Sequence, residues 1–171
     1  MPVNTVIRGT VLKYGDNINT DIISPPQYME LSIAEAAPYA MSAVDPGFAA
    51  KVRPGDIMVA GLNFGSGSSR ETSPLALQYL GISAIVATFF ARIFYRNAIN
   101  LGIPVIECAA TGSIQDSDLI ELDLEAGVIR NLTRNESYPC SRIPPHILTL
   151  IQAGGLVPYL KAQALEQAGP A

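Results

Sequence analysis

Residues 57–107, IMVAGLNFGSGSSRETSPLALQYLGISAIVATFFARIFYRNAINLGIPVIE, decide the fold because short apolar runs alternate with longer segments of helical spacing. The apolar runs have the length of buried strands. We therefore predict strands over 57–60, 84–88 and 104–107, joined by helices over 70–80 and 91–101. Strands linked in this way form a parallel sheet with right-handed crossovers. The sequence thus predicts an α/β fold.

The sequence on either side extends this unit into one expected domain over residues 1–171. Residues 5–14 are β-branched and roughly alternating, which predicts an opening strand. Residues 17–26 hold two prolines and several turn-forming side chains, which predicts an irregular surface loop. We further expect short helices over 33–40 and 46–52, the second capped by Asp45. A strand pair is expected over 119–124 and 127–132. Two helices should follow Pro145, separated at Gly154-Gly155, and the tail should be loose from about Gln163.

The composition favours a folded chain that covers part of its surface with a partner. Of 171 residues, 49% are hydrophobic and 15% are charged, without an apolar run long enough to span a membrane. The formal charge of −4 argues against nucleic acid, which requires a basic face. No apolar leader begins the sequence, so we expect a cytoplasmic location without membrane association.

The turn after the strand at 57–60 contains the residues best suited to chemistry. Gly65 and Gly67 let backbone N–H groups approach a ligand, and Arg70 adds a positive charge at a predicted helix start. Together they predict an anion site, and a carboxylate suits it because arginine can hold both oxygens. The spacing fits neither a Walker loop nor a dinucleotide loop. The alternative is a tight turn without a ligand, in which Ser68 or Ser69 caps the helix and Arg70 lies in solvent.

Three stretches match the motifs of one known family. They are GDNINTD at 15–21 with Tyr28 beyond it, NFGSGSSRE at 63–71, and FARIFYRNAIN at 90–100 followed by GIP at 102–104. In type, order and spacing they resemble the small, swivelling domain of the aconitase and isopropylmalate isomerase family, over nearly the whole chain. The resemblance implies a three-layer β/β/α domain with a parallel central sheet and an additional antiparallel β layer.

The resemblance also implies a reaction. Family members dehydrate and rehydrate hydroxy-acids with a [4Fe-4S] cluster, which Cys108 and Cys140 stand too far apart to hold. The implied protein is therefore a hydro-lyase small subunit that binds no metal itself and works with a larger subunit carrying the cluster. It most resembles members that act on isopropylmalate in leucine biosynthesis. Homoaconitate or dimethylmalate as substrate, or a non-catalytic anion-binding module of the same fold, are the alternatives.

Site residues are carried over from the family by position. Ser68 matches the serine that removes the carbon-bound proton. Ser69 and Arg70 match residues that hold the substrate carboxylate, beside the backbone of Gly65 and Gly67. Asp21 matches an active-site aspartate that orients a histidine or water, with a simple Asx-turn as the alternative.

The serine chemistry sets a physical requirement. A serine hydroxyl is about as weak an acid as water, so its alkoxide needs roughly six to eight pKa units of stabilisation, about 8 to 11 kcal/mol. A helix dipole and a single charged hydrogen bond each supply only a small part of this. We therefore expect several donors and Arg70 to act together in a dry site that the partner subunit closes.

The loop after the first motif predicts the substrate. Tyr28, Met29 and Leu31 lie where the family reads the variable end of its substrate, and no Lys or Arg occurs between Lys13 and Lys51. A second carboxylate of the substrate would find no partner on this loop. We therefore favour an apolar substituent such as isopropyl over the acidic arm of citrate or homocitrate.

Two further arginines, Arg92 and Arg96, stand at i and i+4 of the predicted helix in the third motif. Such spacing places both on one helix face, where they serve structure or the subunit contact, with a substrate carboxylate as the alternative. We also expect the isolated chain to self-associate, because its partner-facing apolar surface would otherwise contact water.

Overall fold

The computed structural model describes residues 5–68 and 70–169, with a seven-stranded mixed sheet at its centre. The strands are β1 (Val6–Lys13), β2 (Ile57–Val59), β3 (Ala84–Ala87), β4 (Val105–Glu107), β5 (Leu119–Asp123), β6 (Val128–Asn131) and β7 (Glu136–Pro139). Their spatial order is β4-β3-β2-β1-β5-β6-β7. The strands β1 to β4 are parallel, and β5 to β7 add an antiparallel extension. The α/β prediction is confirmed.

Helices connect and cover the strands. The α-helices among the described residues are α1 (Thr20–Ile23), α2 (Ile33–Ala36), α3 (Phe48–Lys51), α4 (Thr72–Leu80), α5 (Arg92–Asn100), α6 (Pro145–Gln152) and α7 (Leu156–Ala168). Single 3-10 turns occupy Pro26–Tyr28, Ala37–Tyr39 and Thr111–Ser113. The helices α4 and α5 are the crossovers of the parallel half, as predicted.

The strand β1 joins the two halves of the sheet. Its first part pairs antiparallel with β5, from Val6 to Thr10, and its last three residues pair parallel with β2. Gly9 lies two residues before the parallel pairing begins at Val11, and a Cβ there would approach the carbonyl oxygen of Gly55 to 2.2 Å. A side chain at this position would therefore force β1 and the turn before β2 apart.

Alternate residues of the parallel strands fill two separate cores, because successive side chains of a strand point to opposite faces. Met58 packs on one face with Leu77 of α4 and Phe94 of α5. Ile57 packs on the other face with Ile120 of the antiparallel extension. The burial of both faces explains why these strands read as continuous apolar runs.

Two predicted segments have a different local structure. The loop at 17–26, expected to be irregular, contains α1, since the Asn19 side chain accepts a hydrogen bond from the Ile22 N–H at 2.9 Å and caps a helical turn. The predicted helix at 33–40 is divided into α2 and a 3-10 turn that contains Pro38. Proline lacks the N–H that would continue the α-helical bonding.

The caps and ends also differ from the prediction. Asp45 does not cap a helix at 46–52; its carboxylate accepts hydrogen bonds from Tyr14 Oη and Lys51 Nζ, each at 2.6 Å, and the helix begins at Phe48. The loose tail expected from Gln163 continues α7 to Ala168, because its Ala, Leu, Gln and Glu residues favour helix. No strand was predicted at β7. The single domain over residues 1–171 stays a prediction.

Asp118 organises the start of the antiparallel extension. Its buried carboxylate accepts hydrogen bonds from the Gln115 N–H and Asn131 Nδ2, both at 2.8 Å, and from Arg134 Nε at 2.9 Å. Burial by itself raises the pKa of this carboxyl, but the donated hydrogen bonds and the Arg134 charge outweigh it and hold the pKa below its ordinary value. The charged form therefore stabilises the fold.

We expect Asp118→Ala to lower the free energy of unfolding by about 2 to 4 kcal/mol at pH 7, because three donors lose their acceptor. Since the pKa of Asp118 is lower in the folded chain, its contribution is present above about pH 4 and is lost as the pH falls through the folded pKa. Urea unfolding at several pH values measures this. Glu125→Ala, at an exposed position of the adjacent hairpin, is the control; equal effects of the two substitutions would contradict the prediction.

Candidate active site

The first two sequence motifs lie side by side at the carboxyl ends of β1 and β2. The Gly65 N–H donates to the Ile18 carbonyl at 2.7 Å, and the Thr20 N–H donates to the Ser66 carbonyl at 2.9 Å. Neighbouring parallel strands end at the same edge of a sheet, so the loops that follow β1 and β2 meet there. The structure thus brings together two motifs that are more than forty residues apart.

Both glycines of the second motif occupy positions closed to other residues. Gly65 has a φ of 79°, and a Cβ there would lie 2.3 Å from Cβ and Cγ of Phe94 in α5. Gly67 has a φ of 104°, and its Cβ would lie 3.1 Å from Thr20 Oγ1. The loop therefore runs tightly between α5 and α1. Gly65 is buried and its N–H is already bonded to Ile18, which differs from the prediction that this N–H faces a ligand, whereas Gly67 is exposed.

Arg70 and Asp21, both predicted site residues, are ion-paired. Arg70 Nη1 lies 2.9 Å from Asp21 Oδ1 and donates to the Ser24 carbonyl at 3.1 Å. The Arg70 side chain is 14% exposed and that of Asp21 is 59% exposed. Arg70 is thus held against α1 instead of lying in solvent, and the alternative of a solvent-exposed arginine is wrong. The other guanidinium nitrogens, Nε and Nη2, have no hydrogen-bond partner among the described residues.

Ser68 lies on the exposed side of the same loop, whereas Ser69 lies outside the described residues. Ser68 does not cap α4, which begins at Thr72 with no side-chain cap, two residues later than predicted. The α4 N-terminus also offers few free donors: the Ser73 N–H donates to the Arg70 carbonyl at 3.2 Å, and Pro74 has no N–H. Positive polarity at Ser68 therefore depends on Arg70 and the loop backbone more than on a helix dipole.

The predicted specificity residues line a small apolar cavity of about 40 Å³. Tyr28, Met29 and Leu31 form one wall, and Tyr28 is stacked on Tyr39 with ring centroids 3.9 Å apart. The other lining residues are Ile23, Ser24, Pro25, Ile33, Ala36, Thr72 and Ala76. None of these side chains is a cation. Ser24 connects this cavity to Arg70, because the Ser24 carbonyl accepts a hydrogen bond from Arg70 Nη1.

Two buried hydroxyls, missed from the sequence, point to unmet hydrogen bonding at this site. Thr20 Oγ1 and Ser24 Oγ have no hydrogen-bond partner among the residues that the structure describes, although buried polar atoms are nearly always paired. Both residues belong to α1 and its C-cap, next to Gly67 and Arg70. Turn-forming residue types in a loop gave no indication of burial, so only the packing of α1 against the second motif could identify them.

The cysteines do not fit an iron-sulfur cluster. No group of three or more His, Cys, Asp or Glu residues in the described part of the chain is arranged to hold a metal ion. Burial raises the pKa of the Cys108 thiol, and burial together with Cys108 and Asp123 raises that of Cys140 to about 11. Burial of both thiols therefore favours their neutral form in this chain.

Within the described ranges, none of the helices is both long and apolar enough to cross a membrane.

The fold and the paired motifs define a domain of the aconitase type. The aconitase C-terminal domain model matches residues 7–111, and the chain belongs to this family, as the three motifs indicated. It is 48% identical to the 3-isopropylmalate dehydratase small subunit of Nautilia profundicola over 162 residues, which cover 94% of this chain and 98% of the relative. It is 45% identical to the 2,3-dimethylmalate dehydratase small subunit of Eubacterium barkeri over 157 residues, which cover 91% of this chain and 96% of the relative.

A solved structure agrees with this assignment. The crystal structure of 3-isopropylmalate dehydratase from Methanocaldococcus jannaschii matches with a TM-score of 0.90 at 42% sequence identity. The match covers 95% of this chain and 98% of that one. The swivelling-domain architecture expected from the resemblance is therefore confirmed.

Two buried threonines give a matched test of the unpaired hydroxyl. Thr20 is 3% exposed and its hydroxyl is unpaired, whereas Thr111 is 5% exposed and its hydroxyl lies 2.7 Å from Thr88 Oγ1. We expect Thr20→Val to raise the free energy of unfolding of the isolated chain by about 1 kcal/mol and Thr111→Val to lower it by about 1 kcal/mol. Chemical denaturation measures both. Destabilisation by Thr20→Val would mean that the hydroxyl has a partner.

Proposed function

We propose that this chain is the small subunit of a 3-isopropylmalate dehydratase, a hydro-lyase that interconverts 2- and 3-isopropylmalate by removal and return of water. The observation that carries the proposal is the apolar cavity of Tyr28, Met29 and Leu31 beside the single cation Arg70. This arrangement suits a hydroxy-acid with a carboxylate at one end and an alkyl group at the other. The family membership and the relatives' names support the same reaction.

In this proposal Ser68 takes the carbon-bound proton. Arg70 uses Nε and Nη2 to bind the substrate carboxylate, with Ser69 assigned beside it from the family motif. The carboxylate then shares the guanidinium with Asp21, which pairs with Nη1. Asp21 in turn orients Arg70 and a group of the partner subunit, since most of its side chain is exposed.

The exposure of Ser68 explains the need for a partner. An alkoxide requires stabilisation of roughly 8 to 11 kcal/mol, and water at an open loop screens the few charges that could provide it. The larger subunit excludes this water and carries the [4Fe-4S] cluster, for which this chain has no suitable ligands. We therefore propose a heteromeric enzyme whose small subunit is inactive alone, working in the cytoplasm.

A second candidate is the small subunit of a dimethylmalate dehydratase. The cavity is only about 40 Å³ in this structure, which suits a short alkyl substituent, and one close relative has this name. A substrate with a third carboxylate, such as homocitrate, is disfavoured because no cation lines the cavity. A panel of hydroxy-acids assayed on the reconstituted enzyme separates these candidates.

We expect Ser68→Ala in the assembled enzyme to lower kcat by about 1,000-fold with little change in KM, because the general base is lost while the substrate contacts remain. Ser66→Ala in the same loop is the matched control, with a change below about threefold. Steady-state kinetics on isopropylmalate measure both variants. A Ser68→Ala enzyme that turns over at the unmodified rate would exclude this serine as the base.

Leu31→Arg should shift selectivity towards a tricarboxylate such as homocitrate. A new cation in the cavity wall would pair with the additional carboxylate, and we expect the ratio of kcat/KM values to change by about tenfold or more. Leu132→Arg is the control, since Leu132 is 41% exposed and Leu31 is 40% exposed. An unchanged ratio for Leu31→Arg would place the substituent elsewhere.

A further inference from the structure

The outer face of helix α5 carries two apolar and two charged residues that the fold does not use. Arg92 and Arg96 stand at i and i+4 of the helix, with Ile93 beside them, and Phe89, which precedes the helix, lines the same open cleft as the two arginines. All four residues are exposed. Phe89 and Ile93 are each 50% exposed. We call these four residues the α5 outer face.

The opposite side of the same helix is fully used in packing. Phe90 and Phe94 are stacked with ring centroids 6.1 Å apart, and both contact Phe64 edge to face. Ala98 completes this buried side. The core therefore does not require the apolar residues of the α5 outer face, and their exposure to water needs another explanation.

The two arginines of the face have no partner in the described chain. Arg92 and Arg96 take part in none of its ion pairs or side-chain hydrogen bonds, whereas Arg8, Arg70 and Arg134 are each paired with a carboxylate. The nearby Glu107 lines the same open cleft, but its Oε2 accepts from the Phe90 N–H at 3.1 Å. The face therefore presents unpaired positive charge beside apolar surface.

The α5 outer face is continuous with the candidate active site. The Phe64 N–H donates to the Phe89 carbonyl at 3.0 Å, and the Ala91 N–H donates to the Phe64 carbonyl at 2.9 Å. Gly65, the next residue, rests against Phe94 on the buried side of the helix. Leu62, which is exposed on the same stretch of chain, extends the apolar surface towards the loop. A partner large enough to cover Ser68 will reach this face.

We propose that the α5 outer face is the docking surface for the larger subunit, with carboxylates of that subunit pairing with Arg92 and Arg96. This inference rests on the proposed function, which requires a partner that closes the active site. Exposed aromatic and arginine side chains around an apolar centre are the residues that dominate protein interfaces. Phe89 and Ile93 form the apolar centre, and the two arginines fix orientation by charge.

The test is the affinity of the small subunit for the larger subunit purified with its cluster, measured by anaerobic titration calorimetry. We expect Arg92→Glu with Arg96→Glu to raise Kd by about 100-fold or more and to weaken its salt dependence. Ile93→Asp should raise Kd by at least about tenfold. The matched controls are Arg53→Glu with Arg142→Glu, two exposed arginines outside this face, and Leu165→Asp on α7; each should change Kd by less than about threefold.

Activity at saturating larger subunit separates docking from substrate contact. The Arg92→Glu, Arg96→Glu variant should then reach nearly the unmodified kcat and KM, and a large fall in kcat would place these arginines at the substrate and overturn the proposal. Variants that bind as tightly as their controls overturn it as well, while the proposed function stands if the complex is active. If the unmodified chain neither binds nor activates the larger subunit, the proposed function is wrong, and the docking proposal that rests on it is wrong as well.

Sedimentation velocity of the isolated chain tests whether a second copy of this chain occupies the α5 outer face. If the α5 variants abolish a homodimer and leave the affinity for the larger subunit unchanged, a second copy of this chain occupies the face and the proposal is wrong. Unchanged circular dichroism and thermal unfolding confirm that the variants remain folded, as expected for substitutions at exposed positions.

Discussion

The backbone hydrogen bonds between the loop after β1 and the loop after β2 are the constraint on which the site depends. Gly65 and Thr20 donate across this contact, to Ile18 and Ser66 respectively. They place the first motif against the second, so that Asp21 meets Arg70. The contact is possible only because Gly65 has no side chain to collide with α5. The sheet, the helix and the site are therefore linked through one closely packed loop.

The isolated chain holds half of a site. Among the described residues, Arg70 is fixed by α1 but has donors without partners, two buried hydroxyls are unpaired, and Ser68 is exposed. Each of these groups would be better satisfied with a substrate bound and water excluded. The electrostatic requirement of a serine base and the unfinished hydrogen bonding of this loop both support the proposal that a second chain completes the site.

Helix α5 connects the chemistry to the proposed assembly. Its inner side supports Gly65 through Phe94, and its outer side presents Arg92 and Arg96, which have no partner within the described part of the chain. Because one rigid helix contributes to both, a partner bound at the outer face would have a fixed position relative to the loop. Such rigidity matters for a reaction whose groups come from two chains, since small displacements strongly reduce rates.

Much of the fold and the main motifs could be predicted from the sequence. The parallel strands, their crossover helices and the final helix pair are encoded by local apolar patterns, and the glycines with Arg70 marked the turn that holds the candidate anion site. The local pattern was insufficient at residues 17–26, where Asn19 caps a helix that only its packing against the second motif stabilises. It also placed the start of α4 two residues early, which overstated the contribution of the helix dipole.

The sequence by itself determined the order of strands and helices, the family and the residue types of the site. Only the tertiary structure decided that Asp21 pairs with Arg70, that the buried hydroxyls of Thr20 and Ser24 lack partners among the described residues, and that α5 leaves a charged apolar face uncovered. The physical reason is that spacing along the chain encodes periodic local structure, whereas pairing, burial and exposure depend on contacts between segments far apart in sequence.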